Sequence, residues 1–287
     1  MRATRLVRHS GSGNCGGTPD RAGRVLDPSS ASGVEGVDPY VIHQGNEDAM
    51  SELTGKGAIV TGSTHGIGVA VAERLVAAGM HVVVSSRTPA KVEEVAARLS
   101  QSGPGRALGI ACDVRDPEAC AELVGRAVAE LGRLDVLVNN AGVGRMKPVQ
   151  EMSIEEWRDQ IDTNLGGVFY CSRVAVPHLR ASGDGWIINI GSLASRNTFS
   201  GGAGYNASKF GLLGMTEAMM LDLRYDGIRV GIVMPGSVQT EFGGRFFEEK
   251  SWALQPQDVA LAVTQLLEFP DRALVSRVEM RPTRPRK

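Results

Sequence analysis

Ala58-Ile59-Val60-Thr61-Gly62-Ser63-Thr64-His65-Gly66-Ile67-Gly68 is the stretch that decides the fold. Ala58-Ile59-Val60 is a short apolar run, the pattern of a buried strand, and the segment after the glycines, Val69 to Ala78, is amphipathic and stops at Gly79. Glycines at a strand-to-helix turn let the backbone bend tightly and approach a pyrophosphate. Free N–H groups and the dipole at the helix start then offset the phosphate charge. Glycines also serve ordinary turns, so the weight of this loop comes from its place between a first strand and a first helix.

Outward from that turn, strand and helix alternate. Strands are predicted at Val82-Val83-Val84, Ala107 to Ala111, Leu134 to Val138, Trp186 to Ile190, Ile228 to Met234 and Leu274 to Met280. Helices are predicted at about 89 to 100, Pro117 to Leu131, Ile154 to Asp162, Val168 to Leu179, the segment from Tyr205, and Pro256 to Leu267. Asn164-Leu165-Gly166-Gly167 is expected to separate the third and fourth of these, and Pro177 to kink or end the latter. This alternation specifies a doubly wound parallel sheet of about seven strands with helices on both faces.

Composition bounds the function. A chain of 287 residues with 42 % apolar and 22 % charged residues suits one large α/β domain, and a net charge of −1 supplies no general attraction to nucleic acid or an anionic membrane. No apolar segment reaches the length of a membrane span. Cys15, Cys112, Cys120 and Cys171 lack metal-ligand spacing and are read as reduced thiols of a cytoplasmic protein, with no metal site. Residues 1–49 are rich in Arg, Gly and Ser without periodicity. They are read as a disordered extension or a mis-assigned start before Met50, with a flexible tail or a targeting peptide as alternatives. Residues 50–287 form the domain.

Two groups of residues point to chemistry. At the end of the second strand, where a dinucleotide fold often places an acid on the adenosine ribose, the chain has Ser85-Ser86-Arg87. A guanidinium pairs with a 2′-phosphate that an acid would repel, so NADP(H) is expected over NAD(H), with His65 as an additional donor. The second group is Tyr205-Asn206-Ala207-Ser208-Lys209. On a helix, four-residue spacing places the phenol and the ammonium on one face, and an adjacent cation draws a phenol's pKa down towards the acid–base range.

Thr61-Gly-x-x-x-Gly-x-Gly68, Asn139-Asn-Ala-Gly142, Ser192, Tyr205-x-x-x-Lys209 and Pro235-Gly236, in this order, resemble the short-chain dehydrogenase/reductase family, with its Rossmann-type fold, over residues 53 to about 281. Ser192 precedes Tyr205 by 13 residues, as the family's active-site serine does by about a dozen. The resemblance implies hydride transfer between a nicotinamide and a carbonyl or secondary alcohol. It makes Tyr205 the acid/base, Lys209 the group that lowers its pKa and holds the ribose, Ser192 the hydrogen-bond donor to the substrate oxygen, and Asn164 a relay through water. It assigns the loop Gly62, Thr64, His65, Gly66, Ile67 and Gly68 to the pyrophosphate and Asp113 and Val114 to the adenine. Asn140, Ala141 and Gly142 go to the ribose side, and Pro235, Gly236, Val238 and Thr240 to the nicotinamide. Ser86 and Arg87 would take the 2′-phosphate. It also implies a homotetramer or homodimer built on the segments 153–180 and 205–225.

Gly191 and His65 depart from common family choices without removing a catalytic group. The end Val278 to Thr283 looks more like reductases of small hydroxy acids, aldehydes and ketones than of 3-oxoacyl thioesters. Phe242, Phe246, Phe247 and Trp252 are candidates for an apolar pocket, although packing against the sheet serves them equally well, and Arg196 and Arg245 could pair with a substrate carboxylate or acyl-carrier phosphate, with surface solvation the favoured role for each. The competing function is a catalytically silent dinucleotide-binding sensor or scaffold of the same fold. A nucleotide-sugar epimerase would need a substrate domain that this sequence lacks.

Overall fold

A computed structural model describes residues 52–242 and 252–285. The reading of residues 1–49 lies outside these, as do those of Arg245, Phe246 and Phe247. Seven parallel strands form one sheet in the order β3-β2-β1-β4-β5-β6-β7. They are β1 (Gly57–Thr61), β2 (His81–Ser86), β3 (Ala107–Ala111), β4 (Val136–Asn139), β5 (Gly185–Ile190), β6 (Ile228–Pro235) and β7 (Arg277–Met280). The helices are α1 (Gly66–Ala77), α2 (Pro89–Leu99), α3 (Pro117–Leu131), α4 (Ile154–Ile161), α5 (Gly167–Ser182), α6 (Ala203–Leu223) and α7 (Pro256–Leu267). No described helix is long and apolar enough to cross a membrane.

Strand periodicity divides the core in two. Ala58 and Val60 of β1 point with Val82 and Val84 of β2 into a cluster closed by α1, α2 and α7. Ile59 and Val83 point the other way, against Leu123 of α3 and Cys171, Ala175 and Leu179 of α5. The sheet order reverses between β1 and β4, so the carboxyl ends of these two strands splay and leave a crevice above them.

The segment 154–182 differs from its sequence reading. Asn164-Leu165-Gly166-Gly167 does not separate two helices, because a π turn, Asp162–Gly166, carries α4 into α5. There the Gly167 N–H bonds to the Asp162 carbonyl. A side chain at Gly167 would place its Cβ 2.7 Å from Val114, so the glycine permits close packing of the helix on the end of β3 and does not break the helix. Pro177 does not mark the last turn either. The helix continues to Ser182 and ends at Gly183, which has φ 80°. Strands β4 and β7 are shorter than expected and begin at Val136 and Arg277.

A buried polar ladder seats the helices on the sheet. Asn139 of β4 donates to Ser172 of α5 at 3.1 Å and to Asn189 of β5 at 2.9 Å. Asn189 in turn donates to Thr216 of α6 at 2.8 Å, and Thr216 donates to the Leu212 carbonyl at 2.7 Å. Removing one rung leaves its buried neighbours without partners, which costs roughly 1–3 kcal/mol for each group stranded. Asn189→Ala is therefore expected to lower the unfolding free energy by about 2–4 kcal/mol in denaturant titration. A loss below about 0.5 kcal/mol would remove the ladder as the feature that seats α6.

Candidate active site

The crevice is formed first by the turn after β1. Gly62 has φ 63°, and a Cβ on it would lie 2.8 Å from Ala141, so only glycine lets the β1 and β4 turns meet. They are clasped there. Asn140 donates its side-chain amide to the carbonyls of Thr61 at 2.9 Å and Gly62 at 3.0 Å, while Thr61 Oγ1 accepts from the backbone N–H groups of Asn140 and Ala141. His65 is the N-cap of α1, so the first turn of that helix opens towards the crevice.

The cleft above this turn has a volume of about 1120 Å³. Its lining includes Thr64, His65, Gly66 and Ile67 of the turn, Ser86 and Arg87 after β2, Asp113 and Val114 after β3, and Asn140, Ala141 and Gly142 after β4. Pro235, Gly236, Val238 and Thr240 line it after β6. Two expected site residues stand back from it. Gly68 is buried behind the turn, where a Cβ would meet Asn140 and Gly62 at 2.4 Å, so it is a packing glycine with no face towards a ligand. Asn164 is also buried behind the cleft.

The catalytic candidates converge on one wall. Helix α6 carries Tyr205 and Lys209 one turn apart on the same face, and the loop after β5 brings Ser192 to the Tyr205 hydroxyl, close enough for its hydrogen-bonding to favour the ionised phenol. Ser192 Oγ also accepts from the Ala194 N–H at 3.1 Å. Asn206 holds this loop against α6, donating both to the Ala194 carbonyl at 2.8 Å and to the Asn197 carbonyl at 2.9 Å. Lys209 Nζ donates to the Ile190 carbonyl at 2.9 Å and lies 5.9 Å from the Tyr205 ring centre.

The electrostatics differ from the expectation drawn from spacing. Burial raises the Tyr205 pKa above its ordinary 10, with the Ser192 hydrogen bond opposing it, and burial lowers Lys209 from 10.5 to about 8. Burial thus works against the charged form of both groups. The Lys209 ammonium is bonded to Ile190 and is itself disfavoured by desolvation.

Asn164 also joins the two walls through its side chain. Its side chain accepts from the Val143 N–H at 2.7 Å and donates to the Val143 carbonyl at 2.8 Å and to Ser208 at 3.0 Å. Ser208 donates to the Tyr205 carbonyl. The asparagine side chain thus fastens the edge after β4 to the catalytic helix, and its polar atoms are used in doing so.

Several site residues have no clear sequence signal. Lys91 lines the cleft four residues after Arg87, and neither cation has a carboxylate partner among the described residues. Arg115 grips Asp113 through both carboxylate oxygens and reaches Asp159 at 3.1 Å, which holds the Asp113 carboxyl below its usual range. Arg196 is bonded to Glu279 at 2.5 Å on the surface, and it is not among the residues lining the cleft. Phe242 packs by the Tyr205 ring, while Trp252 lines a separate groove beside α7 and β7.

The protein's relatives agree with this architecture. The family described as short chain dehydrogenase matches residues 56–251. The short-chain reductase protein NovJ of Streptomyces niveus is 42 % identical over 183 residues, which span 64 % of this chain and 69 % of that protein. Among solved structures, an alcohol dehydrogenase from the archaeon Thermococcus sibiricus, complexed with 5-hydroxy-NADP, superposes with a TM-score of 0.76 at 28 % identity, covering 81 % of this chain and 99 % of its own. A metagenomic short-chain oxidoreductase in complex with NADP superposes with a TM-score of 0.72 at 37 % identity, with the same coverage of both chains. With the glycine turn, the sheet order and the Ser192, Tyr205 and Lys209 wall all in place, the chain belongs to the short-chain dehydrogenase/reductase family of oxidoreductases.

Proposed function

We propose that the protein is an NADP(H)-dependent reductase of carbonyl compounds, acting on secondary alcohols in the reverse direction. The observation that carries this reading is the convergence of Ser192, Tyr205 and Lys209 on one wall of a cleft whose floor is the glycine turn. The residues present fit a phosphorylated dinucleotide. Gly62 and Ala141 bring bare backbone to the floor, α1 offers its N-terminus, and Arg87 and Lys91 stand without carboxylate partners at the end of β2. NADP in the two structural relatives supports the same choice.

Once bound, NADPH would supply a hydride to the carbonyl carbon. The protein supplies the rest. Tyr205 donates its phenolic proton to the carbonyl oxygen as that oxygen gains charge, and Ser192 donates a hydrogen bond to the same atom. Lys209, 5 % exposed, places its ammonium beneath the tyrosine, where it donates to the ribose and offsets the charge left on the phenolate. Asn164 and Asn206 keep the two walls at a fixed separation.

Three measurements check this. Tyr205→Phe removes the proton and leaves the ring. It is expected to lower kcat/KM for carbonyl reduction by about 10³-fold or more while the Kd for NADPH, read by nucleotide fluorescence, stays within about twofold. Retained turnover would sink Tyr205 as the proton donor, whereas no turnover in the wild type despite tight NADPH binding would favour a dinucleotide sensor. Arg87→Glu replaces a partner of the 2′-phosphate with a like charge. The ratio of NADH to NADPH efficiency is expected to rise by about 100-fold, near 3 kcal/mol at 1.4 kcal/mol per decade, and an unchanged ratio would place Arg87 away from the ribose.

The third concerns pH. From about 8 to 10.5 an unfolded chain keeps on Lys209 a proton that the folded protein releases, so stability attributable to this residue rises with pH through that window. Below it, both states hold the proton and the full burial cost is felt. The unfolding free energy of wild type minus Lys209→Met, without nucleotide, is expected to grow by on the order of 3 kcal/mol across the window. A flat difference would mean the ammonium is not disfavoured by burial.

A further inference from the structure

The two ends of the cleft differ in free charge. At the β2 end Arg87 and Lys91 have no carboxylate partner among the described residues. Beyond Tyr205, three lining cations among the described residues already have a carboxylate partner, and Arg281 shares its partner with Arg196. Arg145 pairs with Asp159 at 3.3 Å, Lys147 with Glu156 at 2.6 Å and Arg281 with Glu279 at 3.0 Å. A substrate carboxylate or phosphate there would compete with the carboxylates already engaged.

Beside Tyr205, part of the wall at this end is apolar. The Phe242 ring lies 5.7 Å from the Tyr205 ring, centre to centre, and is tilted by 59°. It rests on Gly144, where a Cβ would fall 2.5 Å from Phe242 and 2.9 Å from the end of the Met146 side chain. Gly144 is therefore a close-approach glycine that lets an aromatic ring lie beside the catalytic phenol. Leu193 and Phe199 line the same end of the cleft.

We propose that Phe242, seated on Gly144 and Met146, is the residue that sets substrate specificity, and that the substrate is an uncharged ketone or aldehyde bearing a flat apolar group next to the carbonyl. This rests on the reductase reading above. The aryl or similar group lies against Phe242 and Met146, which gains apolar burial and ring-on-ring contact. Its carbonyl oxygen then faces Ser192 and Tyr205. The carbon gains a hydride and the oxygen gains the tyrosine's proton, giving the alcohol and the oxidised nicotinamide.

The test uses the full chain with NADPH and three probes: acetophenone, 2-oxo-2-phenylacetate, which adds a carboxylate beside the same aryl ketone, and butanone, which lacks the ring. Acetophenone is expected to exceed each of the others in kcat/KM by about tenfold or more. Phe242→Ala is expected to lower the acetophenone-to-butanone ratio by about tenfold, Phe242→Leu to fall between, and Gly144→Ala, which displaces the ring, to shift the ratio in the same direction. Nucleotide fluorescence with NADPH reports that each variant is folded. Preference for 2-oxo-2-phenylacetate or for butanone, or an equal loss on all three probes in Phe242→Ala, would overturn this proposal and leave the reductase reading standing. No turnover of these or of any other aldehyde, diketone or oxo acid, with NADPH still bound, would instead overturn the reductase reading and this proposal with it.

Discussion

The rest of the structure depends on the contact between the turns that follow β1 and β4. Two strands adjacent in the sheet but remote in sequence must bring their ends within backbone contact, and the missing side chain of Gly62 makes that possible. The Asn140 amide then ties the Thr61 and Gly62 carbonyls, and Thr61 returns the bond through its hydroxyl. Backbone groups that would otherwise be stranded at a sheet edge are satisfied within the clasp. The first turn of α1, the floor of the cleft and the edge that Asn164 grips through Val143 all take their positions from it.

Against that fixed floor, the catalytic wall is held by polar groups in places where apolar packing would be more stable. Asn139, Asn189 and Thr216 run through the core between sheet and helix, and Lys209 is buried with one carbonyl as its protein partner. Side-chain ladders of this kind fix one relative placement of α5, α6 and the sheet, whereas apolar contacts tolerate sliding. The lysine is the costly member. Burial disfavours its charge, and the fold bears that cost because apolar clusters on both faces of the sheet are large.

What could be read from the sequence follows from what leaves a periodic trace. The strand-to-helix alternation, the glycine turn and the four-residue step from Tyr205 to Lys209 are local patterns, and the structure places each of them as the pattern requires. The π turn at Asp162–Gly166 was missed because Gly166 and Gly167 read as a break. Only the tertiary approach of Val114 shows that Gly167 is a packing residue. Likewise Arg196, Arg145 and Lys147 carry no mark in the sequence of the acids that neutralise them, because Glu279, Asp159 and Glu156 arrive from elsewhere in the chain. Lys91 was legible in principle, four residues after Arg87, in the first turn of α2. Phe242 was one aromatic among several, and its distinction is the glycine beneath it.

Adjacency alone does not set a pKa. The spacing of Tyr205 and Lys209 suggests a cation pulling a phenol towards neutrality, yet the same burial that brings the pair together disfavours charge on both. The tyrosine is pushed up and the lysine down, and the Ser192 hydrogen bond does not reverse the first of these. A phenol in this state holds its proton at neutral pH, and the protonated phenol is the form that carbonyl reduction consumes. Proton donation leaves a phenolate and alcohol oxidation starts from one, so burial opposes the charged form in both directions. The raised pKa keeps the phenol protonated but makes it a weaker acid, and turnover either way calls for charge stabilisation at the phenolate, for which the Lys209 ammonium, 5.9 Å from the ring centre, is placed.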